Sequence, residues 1–275
     1  MASEIRRAHE TTESYDPFII PYDIDCVRLF MVNICFVGSP TDPDNWVLVD
    51  AGLPLSANMI VQAAENRFGP DCKPRAIVLT HGHFDHIGAL EELVKRWDVP
   101  VYAHEDELPY LTGKKQYLPP DPSVGGGLMS WLSPLYPRDG IDLGERVMAL
   151  PKDGSIPNMP EWRWIHTPGH TLGHVSFFRE RDRSLIVGDA FLTVKQESAL
   201  AVMTQQKAIH GPPMYFTTDW ERAEESVNRL VELEPAVAYT GHGQIMYGEE
   251  LRRELKRLAD EFENLAVPDH GKYVH

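Results

Sequence analysis

The sequence has few cysteines and no long apolar run. Both features argue against classes of protein that depend on disulfides or on a membrane-spanning segment. Cys26, Cys35 and Cys72 are the three cysteines among 275 residues, and no two of them form a CxxC pair. We therefore expect no disulfide framework and a reducing compartment. No apolar run approaches the roughly 20 residues that span a bilayer. The N-terminal stretch MASEIRRAHETTESYD lacks the apolar core of a secretory signal. These features predict a cytoplasmic protein.

Positive charge is also scarce. The chain has 26 Lys and Arg against 41 Asp and Glu, a formal net charge of −15. Nucleic acids and anionic membranes need clustered Lys and Arg, so we expect neither as a partner. The length and the 43% hydrophobic content are typical of one large globular domain or two modest ones.

Strand and helix patterns alternate along the chain. Apolar, β-branched runs that end at Gly, Pro, Asp or His predict strands at residues 27–37, 46–49, 76–79, 99–103, 162–165, 175–178, 184–187 and 236–239. Helical patterns lie between and after them, at residues 56–69, 87–97, 218–233 and 249–265. Thr218, with Glu221 three residues later, predicts a capping box for the third helix. The order indicates an α/β sandwich with its helices outside.

One segment, at about 108–142, interrupts this alternation. It is rich in Pro and Gly and also in aromatic and leucine residues. A connection of this length inside a compact domain is usually functional or disordered. We predict that it is an ordered cap over a cleft, with plain packing on the sandwich as the alternative. The apolar residues in question are Tyr110, Tyr117, Leu118, Leu128, Met129, Trp131, Leu132 and Tyr136.

Four potential metal ligands occur within six residues, between the strand at 76–79 and the helix that follows. They are His81, His83, Asp85 and His86, in the stretch THGHFDHIGAL. Clustered imidazoles repel each other when protonated, and a divalent cation removes that conflict. Imidazole nitrogen and carboxylate oxygen are both zinc ligands. The cluster therefore predicts a metal site whose remaining ligands lie elsewhere in the chain.

Three later loops at strand ends can supply those ligands. His170 follows the Pro168-Gly169 turn, Asp189 follows the run SLIVG, and His242 stands between two glycines. Rigid strand ends are common positions for binding groups. We predict that His81, His83 and His170 form one site, that Asp85, His86 and His242 form a second, and that Asp189 bridges the two.

These stretches resemble the metallo-β-lactamase superfamily. THGHFDHIGAL matches its HxHxDH signature, and VLVDAGL, TPGHTLGHVSFF, LIVGDAF and YTGHG match its other core motifs in order, over about residues 27–243. The resemblance implies an αββα four-layer sandwich, here one domain over residues 1–275 with the cap inserted and a C-terminal helix at about 249–265. The nearest likeness is to the glyoxalase-II-like branch and a poorly assigned subgroup in it. Antibiotic-hydrolysing relatives commonly have Cys where Asp189 stands, which argues against dedicated β-lactam hydrolysis.

The resemblance also implies a chemistry. Two divalent ions, zinc before iron or manganese, would share a hydroxide that attacks a thioester, lactone or ester carbonyl. Asp85 and Asp50 are the predicted catalytic carboxylates, Asp50 as the strand-end group that orients a ligand imidazole; turn capping is the alternative for Asp50. The predicted partner is a small, partly apolar substrate, with a homodimer possible.

Other functions are open to the same residues. A mononuclear iron enzyme that oxidises persulfides could use His81, His83 and His170 with Asp189. A ribonuclease shares HxHxDH, although the acidic balance of the chain disfavours it. A binding protein without catalysis is the last alternative, and the complete ligand set argues against it.

The remaining histidines within the core motifs are predicted to serve other roles. We expect His174 to support a ligand or to pack, His104 to have a turn or surface role and His166 to be held in the sandwich. His210, in AIHGPPMYF, is the extra histidine with a claim to the substrate cleft.

Overall fold

The computed structural model describes residues 20–138 and 140–274, and it has two sheets. The expectation about a secretory signal concerns the N-terminal stretch and lies outside the described residues. The first sheet has the strand order β1-β2-β3-β4-β5-β6. Its strands are β1 Ile24–Leu29, β2 Val32–Val37, β3 Val47–Val49, β4 Ala76–Val78, β5 Val101–Ala103 and β6 Val147–Ala149. Strands β1 to β3 pair antiparallel, whereas β3 to β6 pair parallel.

The second sheet has the order β11-β10-β9-β8-β7. Its strands are β7 Trp162–His166, β8 Val175–Arg179, β9 Ser184–Gly188, β10 Val237–Thr240 and β11 Met246–Tyr247. Strands β9 and β10 pair parallel, and the other pairs are antiparallel. The sequence pattern did not predict β6 or β11, because each is only two or three residues long.

Helices cover the outer face of each sheet. They are α1 Ala57–Phe68, α2 Phe84–Ile87, α3 Leu90–Trp97, α4 Leu108–Leu111, α5 Leu128–Leu132, α6 Ala199–Thr204, α7 Trp220–Glu232, α8 Gly248–Asp260 and α9 Phe262–Leu265. Short 3-10 turns occur at Ser133–Leu135 and Gly144–Arg146. None of the helices in the described part of the chain is long and apolar enough to span a bilayer.

Three apolar layers hold the sandwich together, and they confirm the predicted αββα order. The first lies between α1, α3 and the first sheet, the second between the two sheets, and the third between the second sheet and α7 and α8. The predicted buried face of α1, with Ile60, Val61, Ala64 and Phe68, is confirmed. Strands buried on both faces explain why β3, β4 and β9 read as continuous apolar runs.

The strand ends that carry the predicted ligands meet at one edge of the sandwich. Backbone hydrogen bonds join the two sheets there, from Val175 N to Thr80 O (2.9 Å) and from Asn33 N to Gly241 O (2.7 Å). The main chain thus ties the loops after β4 and β10 to the opposite sheet, and a hydrogen bond from Gly241 N to Gly188 O (2.8 Å) joins the ends of β9 and β10.

The run at 27–37 is a hairpin of two strands, and not the single strand that the sequence predicted. Strands β1 and β2 turn at Phe30 and Met31, and Phe30 has a φ of 60°. The turn lacks the Gly or Asn that usually marks positive φ, so it was hidden in the apolar run.

The expectation of no disulfide is wrong for one pair. Cys26 and Cys35 are opposite each other in the β1–β2 register and are joined by a disulfide, with their Cα atoms 4.1 Å apart. Their separation of 9 residues suggests no motif in sequence, and only the hairpin register makes them neighbours. Because the reducing compartment was inferred from unpaired cysteines, the cytoplasmic location loses that support and stays a prediction.

Two helix ends also differ from the predictions. The N-cap of α7 is Asp219, whose side chain accepts a hydrogen bond from Arg222 N, and not Thr218. The predicted C-terminal helix is divided at Glu261 into α8 and α9.

Substitution of Trp46 tests how much the apolar layer between α1, α3 and the first sheet stabilises the fold. The ring is 1% exposed, stacks on Phe68 at 4.5 Å and meets Trp97 edge-on at 5.9 Å. We expect Trp46→Ala to lower the free energy of unfolding by about 3–5 kcal/mol, because it leaves a cavity. Trp131→Ala, at a ring that is 70% exposed, is the control and should change it little. Equal losses in chemical denaturation would contradict this layer's role.

Candidate metal centre

The predicted ligands converge on one buried point at the sandwich edge. Candidate ligand atoms lie within 4.8 Å of one another in each of three groups. The groups are His81, His83 and His170; His81, His86 and Asp189; and Asp85, His86 and His242. His83 Nδ1 is 2.9 Å from His170 Nε2. All seven side chains are buried.

Asp189 lies between the two histidine groups. One of its oxygens is 3.5 Å from His86 Nε2, and the other is 3.6 Å from His170 Nε2 and 3.3 Å from His242 Nε2. Asp85 faces the same region, with an oxygen 3.4 Å from His242 Nε2. A carboxylate in the position of Asp189 can reach an ion on either side.

The ring nitrogens that face away from this point are held by the protein. His81 Nδ1 is 3.1 Å from Thr80 Oγ1, and His170 Nδ1 is 3.3 Å from Thr217 Oγ1. His242 Nδ1 donates to Met31 O at 2.6 Å. Such contacts fix the ring orientation and leave Nε2 pointing inward, as is typical of metal-binding histidines.

Asp50 fixes both the loop after β4 and His86. Its carboxylate accepts from Thr80 N and Thr80 Oγ1, both at 2.8 Å, and lies 2.8 Å from His86 Nδ1. Asp50 has a φ of 62°, a left-handed conformation that costs a non-glycine residue about 1–2 kcal/mol. The hydrogen bonds offset that cost. Loop capping and orientation of an imidazole, which the sequence left as alternatives, therefore occur together.

Several inward atoms lack a hydrogen bond, although two of them, His86 Nε2 and Asp189 Oδ1, face each other at 3.5 Å. His81 Nε2, His86 Nε2 and Asp189 Oδ1 are buried and make no hydrogen bond among the described residues. A buried polar atom without a hydrogen bond is costly, and three such atoms lie together at this point. Imidazole and carboxylate are the donors that divalent zinc, iron and manganese accept, so the donor set fits such ions.

Crowding keeps three of the histidines neutral in the metal-free chain. Burial, followed by the neighbouring His86 and His83, holds the pKa of His81 well below its usual range. Burial lowers the pKa of His83 to about 4. Burial, followed by the neighbouring His83, also lowers the pKa of His170. Neutral imidazole is the form that binds metal.

Carboxylates reverse this effect at the other two rings. Burial opposes the charge on His242, but Asp189 and Asp85 outweigh it and raise its pKa to about 10. Burial acts likewise on His86, where Asp189 and Asp50 raise the pKa well above its usual range. In turn, His242 and His86 overcome the burial of Asp189 and hold its pKa well below normal.

His174 supports Asp189 and does not face the centre. Its Nε2 accepts from Asp189 N at 2.8 Å, and its Nδ1 lies 2.8 Å from Thr167 Oγ1. Burial lowers its pKa to about 3, which keeps Nε2 free to accept. The predicted supporting role agrees with these contacts.

Aromatic rings from the cap and from residues 214–216 lie against the centre. His83 is 4.6 Å from the rings of both Tyr117 and Phe216. Tyr136 contacts Phe84 at 5.3 Å, and Met129 packs in the same cluster. Leu118, Leu128, Trp131 and Leu135 remain exposed. Part of the segment at 108–142 therefore packs on the sandwich, and part of it presents apolar side chains to solvent.

His104 is buried, so the predicted surface role is wrong, whereas a contact within a turn occurs, because Asp106 N donates to His104 Nδ1 at 3.3 Å. Its ring stacks on His166 at 4.3 Å with an interplanar angle of 11°, and Asp106 lies nearby. The nitrogen lone pairs lie in the ring planes, so stacked rings direct them side by side instead of to one point. We assign this group no ion.

The backbone of His210 pairs with that of Leu192 through two hydrogen bonds, each of 2.9 Å.

Sequence reasoning identified Asp50 as a group that orients a ligand, but it missed other groups that hold the ligand loops, above all Glu107. Its buried side chain contacts the loops on both sides of the centre. Glu107 follows β5 by four residues and matches no motif, so its only signal was a carboxylate near a strand end.

Comparisons with known proteins agree with the fold. The profile of the metallo-β-lactamase superfamily matches residues 27–242. The chain is 50% identical over 235 residues to the probable metallo-hydrolase YflN of Bacillus subtilis (strain 168), which is 86% of this chain and 89% of that protein. It is 26% identical over 160 residues to a hydroxyacylglutathione hydrolase of Bdellovibrio bacteriovorus, 58% of this chain and 45% of that protein.

A solved structure shares the architecture. The BLEG-1 B3 metallo-β-lactamase superimposes with a TM-score of 0.58 at 22% identity, covering 86% of this chain and 96% of that chain. At this identity the likeness shows the fold.

The unequal charge of the histidines predicts two separate titrations in the metal-free chain. The ring of His83 should stay neutral until the pH falls to about 4, and the ring of His242 should stay protonated until the pH rises to about 10. An unfolded histidine has a pKa near 6.5. The contribution of neutral His83 to the stability of the folded chain is therefore lost as the pH falls from that value towards 4. Protonated His242 stabilises the folded chain fully below pH 6.5, and this contribution is lost as the pH rises through about 10.

Histidine-resolved NMR of the metal-free chain measures both transitions, with single substitutions to assign the signals. Titration of both rings together near pH 6.5 would contradict the described electrostatics.

Proposed function

The chain belongs to the metallo-β-lactamase superfamily and is a metallo-hydrolase, and we propose that it uses two divalent ions to hydrolyse the acyl C–S or C–O bond of a thioester, lactone or ester. One ion would be held by His81, His83 and His170. The other would be held by Asp85, His86 and His242, with Asp189 between them. Zinc is the proposed metal, with iron or manganese compatible with the same donors.

The observation that carries this proposal is the convergence of unpartnered ligand atoms. Nε2 of both His81 and His86 and Oδ1 of Asp189 are buried without a hydrogen bond. The other ring nitrogens, Nδ1 of His81 and of His86, are at the same time held by Thr80 and Asp50. Rings held on one side and free on the other are suited to ligation and not to packing.

When bound, divalent ions lower the pKa of coordinated water to about 7 and polarise a carbonyl oxygen. The side chains of this chain supply the rest. Asp85 and Asp189 reduce the positive charge of the centre, and Asp50 keeps His86 in one tautomer through the 2.8 Å contact to Nδ1. Phe216 and Tyr117 pack on His83 and exclude water from that side.

The proposed substrate is small and partly apolar. Leu128, Trp131 and Leu135 are 52%, 70% and 78% exposed on the cap. The cap contacts the centre through Tyr117, so these side chains can meet a substrate as it enters. Similarity to a hydroxyacylglutathione hydrolase supports hydrolysis of an acyl bond. We propose no nucleic acid or membrane partner, and a cytoplasmic location and a homodimer stay proposals.

A mononuclear iron oxidoreductase is the alternative that the trio of His81, His83 and His170 allows. The second group, Asp85, His86 and His242, argues for two ions, because it is equally compact and equally buried. Oxygen uptake with a persulfide, measured on the iron-loaded chain, separates this alternative from hydrolysis.

We expect the purified chain to bind two ions and to hydrolyse at least one class in a panel of thioesters, lactones and esters. Asp189→Ala and His83→Ala should each reduce turnover by on the order of 100-fold or more, because each removes a proposed ligand. Elemental analysis gives the ion content, and chromogenic assays give the rates.

Matched controls are available on the surface. Asp44→Ala and His270→Ala remove the same side chains at exposed positions and should leave both measurements unchanged. One ion per chain at saturating zinc would exclude the dinuclear centre. Near-normal turnover of Asp189→Ala would exclude the bridging role.

Trp131 tests the proposed role of the cap. Trp131→Ala should raise KM several-fold for substrates with long acyl chains and little for acetyl substrates, because an exposed apolar contact is lost. Met148→Ala is the control, since Met148 is 40% exposed on β6, away from the ligand-bearing edge. Identical KM values for wild type and Trp131→Ala over the acyl series would show that this part of the cap does not contact substrate.

A further inference from the structure

One buried carboxylate outside the ligand set contacts both loops that carry the first group of histidines. Glu107 immediately precedes α4, and its side chain is fully buried. Oε2 accepts from Gly82 N at 2.9 Å, and Gly82 stands between His81 and His83. Oε1 accepts from Thr171 Oγ1 at 2.7 Å and from Gly173 N at 3.0 Å, in the loop that begins at His170.

The cap supplies a fourth donor. The hydroxyl of Tyr117 donates to Glu107 Oε2, and the Tyr117 ring packs on His83. A carboxylate has about four lone-pair sites on its two oxygens, and here all four are directed at donors. Glu107 therefore joins the His81–His83 loop, the His170 loop and the cap with one side chain.

The surrounding glycines show how closely these parts approach. A Cβ atom on Gly82 would lie 2.5 Å from the Tyr117 hydroxyl oxygen, and one on Gly173 would lie 2.8 Å from Glu107 Oε1. Real Cβ contacts are not that short, so any side chain at either position would displace Glu107 or Tyr117. Both glycines are thus explained by the space that the Glu107 cluster occupies.

We propose that Glu107 is a positioning residue for one of the two ions, the one held by His81, His83 and His170. The inference rests on the dinuclear centre proposed above. Within residues 20–138 and 140–274, the Glu107 carboxylate accepts hydrogen bonds only from the loops of these three ligands and from the cap. Asp50 and the carbonyl of Met31 orient the rings of His86 and His242 instead. Loss of the Glu107 contacts should consequently affect the two ions unequally.

Glu107→Gln is the direct test, because it keeps the shape and replaces one acceptor oxygen by an NH₂ donor. If the amide oxygen of the new glutamine points towards Thr171, its NH₂ group faces Gly82 N–H. Both groups are donors, so the hydrogen bond to Gly82 is lost. Glu105→Gln makes the same change two residues away at an exposed side chain. Stepwise removal of zinc from the loaded full-length chain by a competing chelator measures both affinities, and the absorption of the cobalt-loaded chain reports ligand geometry.

We expect Glu107→Gln to release one ion at about 10–100-fold lower chelator concentration, while the other leaves as it does from wild type. Glu105→Gln should match wild type. Equal weakening of both ions, with a lower thermal midpoint of the metal-free chain, would overturn the inference in favour of a general structural role. Retention of both ions at wild-type affinity would overturn it as well.

Two milder variants apply if Glu107→Gln does not fold. Tyr117→Phe and Thr171→Val each remove one hydroxyl donor, and each should weaken the same ion by a smaller factor. Wild-type affinities in both would overturn the inference. A wild-type chain that binds only one ion would contradict the dinuclear proposal instead, and the role of Glu107 would then be decided by whether its variant weakens that ion relative to Glu105→Gln.

Discussion

Mutual repulsion among closely packed imidazoles is the constraint on which the rest of the structure depends. The rings of His81 and His86 are 4.2 Å apart, and those of His83 and His170 are 4.6 Å apart. Fully protonated rings cannot coexist at these distances in a buried site. The protein arranges its carboxylates accordingly, with Asp189, Asp85 and Asp50 near His242 and His86. Fewer carboxylates contact the other three rings, those of His81, His83 and His170, and these rings stay neutral.

Holding such a group together requires support from behind each ring. Strand ends provide the rigid part, and hydrogen bonds between the rings and Thr80, Asp50 and the Met31 carbonyl provide the orientation. Asp50 adopts a left-handed backbone to reach its partners, which is typical of residues whose geometry serves a site. Carboxylates that do not face the centre, at Asp50 and Glu107, therefore hold the loops together.

Much of the fold followed from the sequence, because both sheets are buried on two faces and their strands read as apolar runs. The ligand positions were also readable, since each stands at a strand end beside glycine or within the His81–His86 cluster. What could not be read depended on long-range register. Cys26 and Cys35 meet only across the hairpin. Glu107 reaches Gly173, 66 residues away, through the fold alone. The N-cap at Asp219 instead of Thr218 is a one-residue choice that tertiary packing decided.

The main-chain bonds between the sheets have a kinetic consequence. Val175 N bonds to Thr80 O and Asn33 N bonds to Gly241 O, so the loops of the centre align only after distant parts of the chain have paired. Contacts of such sequence separation form late and slow the folding of a domain. An ion that binds this centre would thus meet a nearly native chain. It would slow unfolding without accelerating folding, and the half-life of the protein would respond to metal supply more than its refolding rate does.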